Sequence, residues 1–158
     1  MNKEELIELL KEYNTNKAKL NIRLKELKTA RIKLKNKSFE TSITSSFGIN
    51  QDIQSKNKIS NKVLKKIESN EKKKEEAERE ISNLEKEVRE LREKVEQVKD
   101  RLEGLKYKER EILTAYYVDG RTAEDIGNNL YFRLFNQTRS SRHIQRIIEK
   151  ATNKMLKL

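Results

Sequence analysis

A heptad run constrains this chain more than any other feature. Val63, Ile67, Asn70, Lys74, Ala77, Ile81, Leu84, Val88, Leu91, Val95, Val98, Leu102 and Leu105 recur at alternating four- and three-residue steps. That period lays a narrow stripe along one side of a helix, and at about 1.5 Å per residue residues 61–105 would span roughly 67 Å. A stripe of this kind needs a partner helix. With Ile67, Lys74, Ile81, Val88, Val95 and Leu102 as a positions, residues 81–98 carry β-branched side chains at a and mostly Leu at d, which favours a parallel two-stranded coil. The flanking charges are divided. In a parallel homodimer Lys66 faces Glu71, Lys73 faces Glu78 and Glu87 faces Arg92, all attractive. Glu80 against Glu85, Lys94 against Lys99 and Arg101 against Lys106 repel. The competing arrangement folds residues 3–35 back along the same helix as an antiparallel hairpin, and both remain open.

Residues 3–35 have the required amphipathic period: Leu6, Leu10, Tyr13, Leu20, Leu24, Leu27 and Leu34, interrupted by Lys17 and Arg31. Ile7, Leu9, Ile22 and Ile32 widen the stripe. Between the two periodic segments, residues 37–59 are rich in Ser, Thr, Asn and Gln and form a polar connector. A structureless loop of that length is unusual in a compact domain, so Phe39, Ile43, Phe47, Ile49 and Ile53 pack locally or belong to strands. The expected organisation is an N-terminal helix at 1–36, the connector at 37–59, a heptad helix at 60–105 and a small helical domain at 106–158. The class is all-α, a long coiled-coil or hairpin stalk with a C-terminal head.

The head begins where the heptads stop. In KYKEREILTAYY, Ile112, Leu113, Tyr116 and Tyr117 form a compact apolar set, and Val118 to Arg121 make a turn around Gly120. Thr122 followed by Asp125 fits a variant of the capping box, so a helix starts there with Ile126 and Leu130 on one face. Gly127 is small where a crossing helix would need close approach. The last helix starts near Ser140, with Ile144, Ile147, Ile148, Ala151 and Met155 inward. Arg142, His143, Gln145, Arg146 and Lys150 are left for the outer and flanking faces. Residues 131–158 hold seven Lys and Arg against one Glu, within a net charge of +11 for 158 residues. A basic helix displaying Ser, Arg, His and Gln near its start has the donors and acceptors that read base edges in the major groove of double-stranded DNA. Lys150 and Lys154, further along, are expected to hold phosphate.

The segments LKYKEREILTAYYVDGRTAEDIGNNL and SSRHIQRIIEKATNKML resemble region 4 of sigma-70-type factors, a helix-turn-helix. The KERE…YY stretch, the N-terminal extension and the size are closer still to phage late-transcription regulators of the RinA and ArpU type. The resemblance covers about 53 residues. It implies a sigma region 4-like helix-turn-helix head and a phage or prophage activator working with host RNA polymerase. It also implies DNA-facing roles for Ser140, Ser141, Arg142, Gln145 and Arg146. Arg139, His143, Lys150 and Thr122 complete the expected DNA-binding set. One departure stands out: nine residues, 131–139, separate Leu130 from Ser140 where the family pattern has about two. The simplest reading extends the first helix by a turn, because Ile126, Leu130 and Leu134 share a stripe, and connects through Asn136, Gln137 and Thr138. The alternative makes Tyr131, Phe132 or Phe135 a wedge in DNA or a docking surface for polymerase.

Composition excludes much else. The chain has no Cys and a single His, which removes thiolate chemistry and metal clusters, and it has no glycine-rich phosphate loop. No cofactor, no metal and no enzymatic activity are expected. No run reaches the roughly 18 apolar residues of a membrane span, so the expected setting is cytoplasmic without a membrane partner. The apolar seam at 81–105 leads to an expected homo-oligomer. Two further readings stand beside the activator. One is a small terminase subunit recognising phage DNA, although in such proteins the DNA-binding domain leads the chain. The other is a non-catalytic coiled-coil tether whose basic tail holds nucleic acid without sequence preference.

Overall fold

A computed structural model describes the backbone of residues 1–37 and 56–158 and the side chains of 1–36 and 65–158. The stretch around Phe39, Ile43, Phe47, Ile49 and Ile53, and the side chain of Val63, lie outside the described residues. Everything regular among the described residues is helical, with no strand. Helix α1 covers Lys3–Lys37 and α2 covers Lys56–Glu103. Helix α3, Tyr107–Leu113, runs on through a π-helical turn at Thr114–Val118. Helix α4, Ala123–Asp125, continues through a second π-helical turn at Ile126–Leu130 into α5, Tyr131–Phe135. Helix α6 covers Ser141–Met155. No described helix is long and apolar enough to cross a membrane.

Contacts divide the chain into two compact units, residues 22–88 on one side and residues 1–21 with 89–158 on the other. In the first of these, Arg23 pairs with Glu87 at 2.8 Å and Arg31 with Glu85 at 2.6 Å. The partner number falls as the α1 number rises, so the two helices are antiparallel here. Leu27 and Val88 are buried, with Leu24, Leu34, Ile81 and Leu84 half-buried beside them. The hairpin alternative is therefore the arrangement adopted over this stretch, and the heptad seam from Ile81 to Val88 is covered within the chain. Two expectations change. Ile22 and Ile32 do not widen the buried stripe but stand 55% and 49% exposed. Further back along α2, every described side chain from Lys65 to Glu76 is exposed, including Ile67 at 47%.

The other unit carries the main core. Asn2 starts α1 through a reciprocal capping box: its Oδ1 accepts from the Glu5 N–H at 2.7 Å, and its own N–H donates to Glu5 Oε2 at 2.9 Å. One turn later Leu6 and Leu10 are fully buried, in one cluster with Val98, Leu102 and Leu105 of the α2 end and with the helices beyond. That cluster takes in Ile112, Leu113 and Ala115, then Ala123, Ile126, Leu130 and Tyr131, and finally Ile144, Ile148, Ala151 and Met155. The C-terminal helices thus share their core with the first turns of α1. Asn16, buried where Lys17 was expected to interrupt the stripe, hydrogen-bonds Glu12 at 3.4 Å.

Candidate nucleic-acid interface

The interface is built on how α6 is started and backed. Thr138, Arg139 and Ser140 lead into it in non-helical conformation, and Ser140 (φ −65°, ψ 151°) is its N-cap, the hydroxyl accepting from the His143 N–H at 3.4 Å. Ile144, Ile148, Ala151, Thr152 and Met155 form the buried face, with Ile147 half-buried. Thr152 was not foreseen on that face, although its spacing from Ile148 and Met155 allows it. Its hydroxyl is satisfied by donating to the Ile148 carbonyl at 2.8 Å. Burying one face fixes the rotation of the helix. Arg142, Gln145, Arg146, Glu149, Lys150, Asn153 and Lys157 are consequently exposed.

The nine-residue stretch before α6 acts through packing. The helix begun at Ala123 reaches Phe135 and stops at Asn136, which takes a left-handed conformation (φ 53°), so the extended-helix reading holds. Tyr131 is only 3% exposed. Its ring lies 4.8 Å from that of Phe135 and edge-on to His143 at 6.5 Å. The Lys108 ammonium donates to the Tyr131 hydroxyl, and the Arg139 guanidinium lies 5.8 Å from the ring centroid. Burial alone would push the Tyr131 hydroxyl pKa up, but the Lys108 and Arg139 cations outweigh it and hold the value below the ordinary range. Phe132 differs, with half its surface exposed.

Gly127 locks the connection. Its carbonyl accepts from the Arg139 N–H at 3.1 Å, and the Arg139 carbonyl oxygen sits 2.1 Å from where a Cβ on Gly127 would stand. Close approach was expected at this glycine from a crossing helix; what approaches is the backbone one residue ahead of the N-cap.

Of the expected residues, Arg142, Gln145, Arg146 and Lys150 come together on the outer face of α6. Arg139 and Ser140 are exposed just ahead of it, while Ser141 and His143 are half-buried at its flank. Arg139 is partly engaged, donating to Gln137 Oε1 at 2.8 Å. Thr122 is exposed and caps α4, accepting from the Asp125 N–H at 3.2 Å. Lys154 is half-buried and paired with Glu109 at 2.5 Å, so it ties α6 to α3 and is not a free phosphate anchor. Arg101 adds a second tie, donating to the Met155 carbonyl at 2.5 Å.

Arg146, Lys150, Asn153, Lys154 and Lys157, with Glu149, line an open groove of about 450 Å³. Asn153 and Lys157 were missed from the sequence, yet Asn153 follows Lys150 by three residues and Lys157 follows Asn153 by four, which puts them on its stripe. Such a surface offers guanidinium and amide donors at one end of the helix and point charges at the other. No protein-family model, curated protein or solved structure matches this chain.

Proposed function

We propose that this chain is a sequence-specific DNA-binding transcription regulator that reads the major groove with α6. The observation carrying this reading is the division of α6 into a buried apolar face and an exposed face bearing Arg142, Gln145, Arg146 and Lys150. Arg and Gln near the start of a helix suit bidentate contacts to guanine and adenine edges, while Lys150 and Lys157 suit phosphate oxygens. The net charge of +11 attracts the polyanion at long range. In this reading the segment from Thr122 to Phe135 and α6 form a helix-turn-helix with a lengthened first helix. The protein is a late-gene activator of a phage or prophage that acts with host RNA polymerase, as the resemblance to sigma region 4 and to the RinA and ArpU type implies.

Selection of bound sites from random duplexes, followed by titration of the chosen site at several salt concentrations, tests it. Arg142→Ala or Arg146→Ala should weaken the chosen site by about 1–3 kcal/mol and relax base preference. Lys150→Ala should weaken all duplexes alike and flatten the salt slope by about one contact's worth, near 0.9 in log-log terms. If Arg142→Ala and Lys150→Ala act identically on every sequence, α6 only holds phosphate and the tether reading takes its place. Transcription reconstituted with core polymerase, with and without the host sigma factor, separates activator from sigma factor. Specific transcript without the host factor would refute the activator.

A further inference from the structure

Charges flanking the α2 seam change character along its length, and burial changes with them. Toward Val88, the seam is covered by α1, and the acids beside it, Glu85 and Glu87, are answered by Arg31 and Arg23 of α1. In a parallel pair of α2 helices this stretch would set Glu80 against Glu85. Over this stretch the seam and its flanking acids are already engaged by α1. From Lys65 to Glu76 the reverse holds. No described side chain covers the seam, leaving Ile67, Asn70 and Lys74 exposed in consecutive a and d positions. The flanking residues are Lys66 and Lys73 at g with Glu71 and Glu78 at e.

We infer that α2, over residues 65–80, is a docking surface for a second copy of this chain, forming a short parallel coiled coil. Orientation follows from charge. Parallel pairing sets Lys66 against the partner's Glu71 and Lys73 against the partner's Glu78, and by symmetry the same again from the other side. Antiparallel pairing would oppose g with g and e with e, placing Lys against Lys and Glu against Glu, so it is disfavoured. Ile67 and Ala77 supply apolar knobs, of which Ala77 is half-exposed. Lys74 is the polar residue at an a position, the kind that specifies register and oligomer state at a cost in affinity. A heterotypic partner would need no self-complementary charge pattern; this stretch has one. The inference does not depend on DNA binding.

Sedimentation equilibrium of the full chain from about 1 µM to about 0.3 mM should show a monomer–dimer equilibrium. The double variants Lys66→Glu/Lys73→Glu and Glu71→Lys/Glu78→Lys each replace attraction by repulsion and should weaken dimerisation about tenfold or more, while circular dichroism stays unchanged. Mixing the two variants should restore a dimer, now heterotypic. Because the chain has no cysteine, Asn70→Cys introduces a unique thiol. Parallel in-register pairing brings the two copies of that position within disulfide range, so mild oxidation should link dimers covalently. A chain that stays monomeric throughout, a dimer insensitive to both double variants, a mixture that fails to restore pairing, or a dimer that Asn70→Cys does not link would each overturn the inference.

Discussion

Replacing Gly127 with alanine tests how the nine-residue stretch positions α6. Helix propensity alone favours the change, since Ala is better than Gly in a helix interior by about 1 kcal/mol. Space opposes it. The new Cβ would stand 2.1 Å from the Arg139 carbonyl oxygen, 3.2 Å from the Arg139 carbonyl carbon and 3.4 Å from Ile144 Cγ1. The first of these is backbone and cannot swing away as a side chain does. Relief requires residues 138–140 to move by about 1 Å, at an overpacking cost of roughly 1–3 kcal/mol. It also breaks the Arg139 N–H to Gly127 carbonyl bond, costing about 1 kcal/mol more. Subtracting the propensity gain leaves Gly127→Ala destabilised by about 1–3 kcal/mol.

The displaced segment leads directly into Ser140, the N-cap of α6, so the start of that helix should shift with it. Urea unfolding measures the stability change. DNA titration at low urea, where the variant remains folded, should show a separate loss of affinity for the selected site. Two other glycines serve as controls. Gly120 has φ 69° with nothing within 4 Å, so Gly120→Ala should cost about 1 kcal/mol of backbone strain and leave DNA affinity unchanged. At Gly104 the nearest atom is Cδ1 of Leu158, the end of a flexible side chain that can turn aside, so Gly104→Ala should be mild. If Gly127→Ala is as stable as the parent, or is destabilised with DNA affinity intact, the connection does not position α6 as argued.

Other perturbations separate scaffold from interface. Leu10→Ala, at a fully buried site in the shared core, should destabilise the unit bearing α6 by about 2–5 kcal/mol in urea unfolding, and a loss below 1 would mean that α1 only rests against it. Thr122→Ala should cost about 1 kcal/mol of stability with DNA affinity retained, whereas loss of affinity in the folded variant would assign Thr122 a DNA contact as well as the cap. Ser140→Asp keeps an N-cap acceptor but adds an acid at the interface, so it should hold stability while weakening DNA binding, measured by the same two assays. In an absorbance titration of the tyrosines, Tyr131 should ionise early and Tyr117, which burial pushes up despite its bond with Thr152, should ionise late. The depressed Tyr131 value makes its ionisation favour the folded state: that contribution is present above the unfolded pKa and lost as pH falls through the folded one. Lys108→Met should abolish the early step, and its persistence would remove Lys108 as a cause.

How much could be read in advance depended on whether one residue or many carried the signal. The α2 heptads, the cap at Thr122 and the start of the last helix near Ser140 were legible because repetition and local hydrogen bonding write themselves into consecutive residues. The extent of the helix that starts after Thr122 was legible for the same reason, since Ile126, Leu130 and Leu134 kept one stripe across 131–135. The partner of the heptads was not, because seam geometry is the same for an intramolecular and an intermolecular neighbour. The pairs Arg23–Glu87 and Arg31–Glu85 distinguish them, and they join residues more than fifty positions apart. Ile22 and Ile32 counted as seam residues because periodicity registers apolarity and not the direction in which a helix rolls onto its neighbour.

The cations of α6 set the limit most sharply. Arg142, Arg146, Lys150, Lys154 and Lys157 follow one another at steps of three or four, and nothing in that spacing ranks one above another. What separates Lys154 is Glu109, forty-five residues earlier, whose Oε1 holds its ammonium at 2.5 Å while the other carboxylate oxygen is buried without a hydrogen bond. Removing the lysine would leave a largely buried carboxylate uncompensated, which is far costlier than losing a surface charge. Lys150, one turn earlier, is exposed and has no ion pair among the described residues. The same residue type thus anchors α6 to the core at 154 and faces solvent at 150, a distinction decided by what α3 places beneath each.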